Sequence, residues 1–171
     1  MRWEALFEDL EGQLSAAERA QDDALVAELT EAEVGTTAFA DRIRARRGHE
    51  VRFRLRTGED VAGVVLDAAP QWVLLGEADR RTLCPLTSVQ AAWPLGPVAP
   101  EPGAVERRLG MSHVLRALAR EGARVRVACE GGSYTGWLTR VGADHVDLRS
   151  AAGEPVSLTL ALRSVVLVST V

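Results

Sequence analysis

The sequence predicts a mainly β chain with a helical start: an N-terminal helical segment followed by two small, curled, five-stranded barrels in tandem. Three observations carry that prediction. The stretch from Val51 to Leu66 reads "VRFRLRTGEDVAGVVL". In it Val51, Phe53 and Leu55 alternate with Arg52, Arg54 and Arg56 before a Gly-bearing turn and a second apolar run, the period-two signature of a half-buried hairpin. A related stretch, "VRVACEGGSYTGWLTR", starts at Val125. Between the two, "PLGPVAPEPG" packs four prolines and two glycines into ten residues, which suits an extended linker.

The elements follow from the N-terminus. From Trp3 the residues Leu6, Phe7, Leu10, Leu14 and Ala17 recur every three or four positions, with Glu4, Glu8, Asp9 and Glu11 off that face. This is an amphipathic helix. Asp22 and Asp23 could cap a second helical stretch carrying Leu25, Val26, Leu29 and Ala32, or sit on the outer face of one long helix. A turn-rich segment "AFADRIRARR" ends at Gly48. Strand runs then fall at 51–56, 61–66 and 72–75, and "TLCPLTSVQAAW" supplies two short strands around a tight turn at 85–88. After the linker, helical turns with Ser112 as N-cap lead to Gly122, and strands resume at Val125.

The two halves align by eye, Val51 over Val125, Gly63 over Gly136, Val73 over Val146, Leu86 over Leu162 and Ser88 over Ser164. The offsets of 74, 73 and 76 change only in presumed turns, so register within each strand is kept. The expected organisation is a helical segment at 1–40, a first barrel with leading helix at 41–94, a linker at 95–104 and a second barrel at 105–171. A unit of about 50 residues with five short strands gains burial by curling, and mid-strand Gly63 and Gly136 permit the bend.

Composition narrows the class. With 47% hydrophobic and 26% charged residues in 171, the chain can bury a core. No stretch reaches the roughly 20 apolar residues of a membrane span, and the start lacks a signal-peptide pattern, so the expected location is cytoplasmic with no membrane partner. All 20 basic residues are Arg, a bias that points to a high-GC genome. Residues 1–41 hold 11 acids and two Arg, net −9, whereas residues 42–171 hold 13 acids and 18 Arg, net +5. Cys84 and Cys129 read as small core hydrophobes.

The order helix, "LRTGEDVAGVVLDAAPQWVLL", loop, "LTSVQAA" resembles the Sm-like (LSm) family. Gly58, Gly63, Asp67, Val73 and Leu74 match its first motif, and Gly136, Val146 and Leu148 repeat part of it. The resemblance implies SH3-like, Sm-like barrels, RNA as ligand, and edge strands that pair with neighbours. Where that family places a base-contacting Asn this chain has Gln71 and, in the second half, Asp144, and no Arg-Gly pair follows strand four. The opening "MRWEALFEDLE" also resembles the start of a family of actinobacterial-type proteins, some called Fis-family regulators. That label requires a C-terminal helix-turn-helix, whereas "VSLTLALRSVVLVSTV" reads as strand.

The leading site candidate is the basic run Arg42, Arg44, Arg46, Arg47, Arg52, Arg54 and Arg56, with Gln71, as a nucleic-acid-binding face. No aromatic residue interleaves it, and Trp72 and Trp137 are expected in barrel core or seam. The competing expectation is a scaffold that binds no nucleic acid and recruits a protein partner, or a second copy, through Trp3, Leu6, Phe7, Leu10 and Leu14 or through edge strands. His49, His113 and His145 lack metal-ligand spacing. No Gly-x-Ser-x-Gly elbow or P-loop Lys occurs. The expectation is a non-enzymatic protein with no cofactor, catalytic residue or metal.

Overall fold

The computed structural model describes residues 19–29, 35–96, 109–151 and 157–171. The chain divides after Thr37 into two units. In the first, residues 19–29 form helix α1, on which Leu25, Val26 and Leu29 are each more than half exposed. The expected apolar face of Trp3, Leu6, Phe7, Leu10 and Leu14 lies outside the described residues, as does most of the expected linker.

The second unit is mainly β. Helix α2 (Phe39–Arg44) precedes β1 (Glu50–Leu55), β2 (Asp60–Ala69), β3 (Trp72–Glu77), β4 (Arg80–Pro85) and β5 (Val89–Trp93). Helix α3 (Met111–Arg120) precedes β6 (Arg124–Cys129), β7 (Gly132–Val141), β8 (His145–Ser150), β9 (Ser157–Ala161) and β10 (Val165–Thr170). A 3-10 turn joins β4 to β5 at Leu86–Ser88, and another joins β9 to β10 at Leu162–Ser164. Alternation in β1 is as the sequence implies, with Val51, Phe53 and Leu55 buried and the polar residues between them exposed. Helix α3 begins two residues earlier than expected. Its N-cap is Gly110, which offers no side-chain hydrogen bond, and Ser112 lies inside the helix.

Among the described residues the strands form one ten-stranded antiparallel sheet that does not close, rather than the two tandem barrels the sequence predicts. Its order is β5-β1-β2-β3-β4-β10-β6-β7-β8-β9. Each half nonetheless has the same internal order, its last strand beside its first. The register repeats too: Val51 pairs with Gly63 as Val125 pairs with Gly136, and Val73 pairs with Cys84 as Val146 pairs with Leu160. The irregularities coincide as well. Leu66 in β2 and Thr139 in β7 are the skipped residues of matching bulges, as are Gln90 in β5 and Val166 in β10. Even the turn bonds match, Leu86 N donating to Gln71 O at 2.9 Å and Leu162 N to Asp144 O at 2.8 Å. Bulges concentrate twist and are tolerated only where the pleat needs them, so their recurrence marks a structural repeat.

The halves meet where β4 pairs with β10, Leu83 opposite Val168 and Thr82 opposite Ser169. Each half also lends apolar side chains to the other's core. Val166 and Leu167 pack with Phe53, Leu55, Val73 and Leu75 of the first half, while Trp72, Leu74 and Leu83 pack with Leu115, Val127 and Leu148 of the second. Burying each such side chain contributes roughly 1.5–3 kcal/mol. Ser88 completes the seam. Fully buried, its hydroxyl lies 2.7 Å from the Pro85 carbonyl and 2.8 Å from that of Val166, sharing its proton between one acceptor on each side.

Candidate nucleic-acid interface

Alternation decides which side chains face outward. In β6, Val125 and Val127 point into the core, so Arg124 and Arg126 point out. In β7, Gly136 and Leu138 are buried, which turns Trp137 outward and leaves it half-buried. Pairing in register then sets Arg124, Trp137 and Arg149 side by side on β6, β7 and β8. The Arg124 guanidinium carbon lies 5.9 Å from the Trp137 ring centroid and that of Arg149 lies 5.2 Å from it. Both distances fall within cation–π range. Both arginines are exposed, and among the described residues neither has a carboxylate partner. Arg126 extends the row, its Nε and Nη2 donating to Ser133 Oγ at 3.2 and 3.1 Å.

Arg124 also borders an open groove of about 330 Å³ whose polar lining is Ser133, Thr135 and Ser150, with Tyr134 partly exposed beside them. The equivalent positions in the first half are Glu50, Val64 and Gly76, so the indole with two guanidiniums belongs to the second half alone.

The basic run singled out in the sequence is spread among structural tasks. Arg42 Nε donates to the Gly96 carbonyl at 2.8 Å, and Arg44 Nη2 meets Asp41 at 3.3 Å. Arg47 Nη2 meets Asp67 at 2.6 Å. Arg54 bonds Asp60 through both oxygens. That bond, with the positive charges of Arg54 and Arg52, holds the Asp60 carboxyl below the usual carboxylate range and raises Arg54. Arg56 spans the seam, its Nε 3.0 Å from Glu130 and its Nη2 donating to the Arg163 carbonyl at 3.3 Å. Arg46 is half-buried, with Nε enclosed and without a hydrogen-bond partner among the described residues.

Arg52 stands apart. It is exposed on β1, paired in register with Trp93 of β5, itself 40% exposed, and the two border a shallow groove of about 310 Å³ with Glu50 and Pro94. Gln71 is exposed in the β2–β3 turn and lines a groove of about 370 Å³ with Thr87, Gly110, Ser112 and Leu162.

The sequence places Trp137 in barrel core or seam, but the structure turns it outward because its neighbours Gly136 and Leu138 take the buried positions of β7. Trp72 does lie in the core, with Nε1 donating to the Leu109 carbonyl at 2.6 Å. Among the described residues no group of three His, Cys, Asp or Glu side chains could hold a metal ion, and no helix is long and apolar enough to cross a membrane.

No model of a known protein family matches this chain, and no curated protein matches it.

Proposed function

We propose that the protein is a non-enzymatic, RNA-associated regulatory binding protein, each half a copy of an Sm-like small barrel, acting in the cytoplasm. Unpaired bases are taken on the outer sheet face of the second half. The observation that carries this reading is the half-buried Trp137 beside the guanidiniums of Arg124 and Arg149. An aromatic ring on a sheet stacks on any base, and flanking arginines attract the phosphates that come with it. The Arg52–Trp93 neighbours on the first half offer a second, smaller contact of the same kind. The remaining arginines of the sequence-predicted run support the fold around these two patches.

The test is fluorescence anisotropy of a labelled single-stranded RNA across a salt series. Loss of one stacked base costs about 1–3 kcal/mol, so Trp137→Ala should weaken binding roughly 5- to 150-fold. Replacing Arg124 and Arg149 by Gln should make the salt slope shallower by about 1.4, at roughly 0.7 per phosphate contact. Absence of binding at low salt, or equal binding by all variants, would remove the reading.

A second reading, a protein-interaction scaffold, is favoured by the exposed Leu25, Val26 and Leu29 on α1. There the helix face pairs with a second copy and no nucleic acid binds, so Leu25→Glu with Leu29→Glu should lower the mass in solution, and the unaltered protein should leave labelled RNA unbound at low salt.

A further inference from the structure

The seam between the halves depends on a specific apolar set. Trp72, Leu74 and Leu83 lie on one side and Val166 and Leu167 on the other, each buried or partly buried in the partner half's core. Because strand order, register and bulges repeat, each of these residues has a defined counterpart at the free ends of the sheet. At the β9 end, His145, Asp147 and Thr159 occupy the positions of Trp72, Leu74 and Leu83. At the β5 end, Gln90 and Ala91 occupy those of Val166 and Leu167. The polar groups at the β9 end are moreover tied to one another locally. Thr159 Oγ1 donates to Asp147 Oδ1 at 2.6 Å, and His145 Nδ1 lies 2.9 Å from Asp144 Oδ1.

We infer that the two halves form a self-terminating pair, in which polar side chains at both open edges prevent the β4·β10 seam from recurring between molecules. The backbone alone would allow it, since among the described residues β5 and β9 are the end strands of the sheet, and an end strand invites a further one. A second copy docking β5 against β9 would have to carry Gln90 into an apolar core and bury Asp147 and His145 against it. Unpaired polar and charged groups resist such transfer strongly. Asp147 would also lose solvent on the side that Thr159 does not cover. Val166 has the opposite property, entering the core of the first half with no polar atom to satisfy. The repeat has thus diverged where it would otherwise polymerise, leaving one internal seam per chain. This inference is independent of the RNA reading.

Sedimentation velocity tests it with two variants, each carrying one apolar end. One is Gln90→Val with Ala91→Leu, the other His145→Trp with Asp147→Leu and Thr159→Leu. Each alone should sediment as the wild type does, and a 1:1 mixture should double that mass. Two folded variants that mix without any change in mass would overturn the inference. Should the triple variant lose its strand circular dichroism, Ala91→Lys and Thr159→Lys, at exposed edge positions, decide the question in the otherwise unaltered protein. Their mass should equal that of the wild type at every concentration. A wild type that associates with concentration, and ceases to do so with either lysine, would contradict the termination.

Discussion

Gly136 offers the sharpest stability test, because the space around it is set by backbone. A Cβ built there would lie 2.0 Å from the Arg149 carbonyl oxygen, 2.8 Å from its carbon and 3.2 Å from Ser150 Cα. That is roughly 1 Å inside the 3.0 Å below which real Cβ contacts are essentially never found. The oxygen cannot rotate away, since Arg149 is held in the β7–β8 ladder opposite Trp137. Overpacking of this kind costs typically about 1–3 kcal/mol, and the backbone partner places Gly136→Ala at the upper end, about 3 kcal/mol. For a chain of this size each kcal/mol lowers Tm by about 2–4 °C, so thermal unfolding by circular dichroism should show a fall of roughly 6–12 °C. Gly63→Ala, at the equivalent position, meets the Gly76 oxygen at 2.9 Å and should cost about 1 kcal/mol. Gly131→Ala, with nothing within 4 Å, should change stability by less than about 0.5 kcal/mol. A Gly136→Ala protein as stable as wild type, or a Gly63→Ala protein less stable than Gly136→Ala, would refute the close-approach reasoning.

Other expectations follow from the seam and from the charged turns. Ser88→Ala strands two buried carbonyls, one in each half, and should destabilise by about 1–3 kcal/mol in urea unfolding; a change under 0.5 kcal/mol would deny the seam that bond. The Cys84 thiol is pushed up to about 12 by burial and should react with a disulfide reagent only on unfolding, whereas Cys129, raised less completely by burial and opposed by Arg56, should be modified first. Equal rates in the native protein would contradict the packing. The carboxyl of Asp60 titrates below its unfolded value, so its contribution is present above the unfolded carboxylate pKa and is lost as pH falls through the depressed folded value. NMR titration of Arg54→Gln should therefore move Asp60 upward, and an unchanged midpoint would discount the ion pair.

Much of the strand plan was readable because β-alternation is a local property. Val51, Phe53 and Leu55 declare their face within six residues, and Gly63 and Gly136 mark matched bends. What escaped the sequence depends on distant partners. The run from Arg42 to Arg56 looked like one basic face, yet Arg54 finds Asp60 across a hairpin, Arg47 finds Asp67 on β2, and Arg56 finds Glu130 in the other half. No periodicity announces such pairs. The single sheet was hidden for the same reason, because the β4·β10 ladder joins strands more than 80 residues apart. The outward Trp137 is not announced by its residue type, since tryptophan is highly buried on average.

Photo-crosslinking with a 4-thiouridine-substituted single-stranded RNA, followed by mass spectrometry of the adducts, tests the central claim most directly. The account predicts that the principal adduct falls on the peptide bearing Trp137, diminishes as salt rises, and disappears when Arg124 and Arg149 are both changed to Glu. Adducts confined to residues 42–56, or none at low salt with an intact fold, would contradict it.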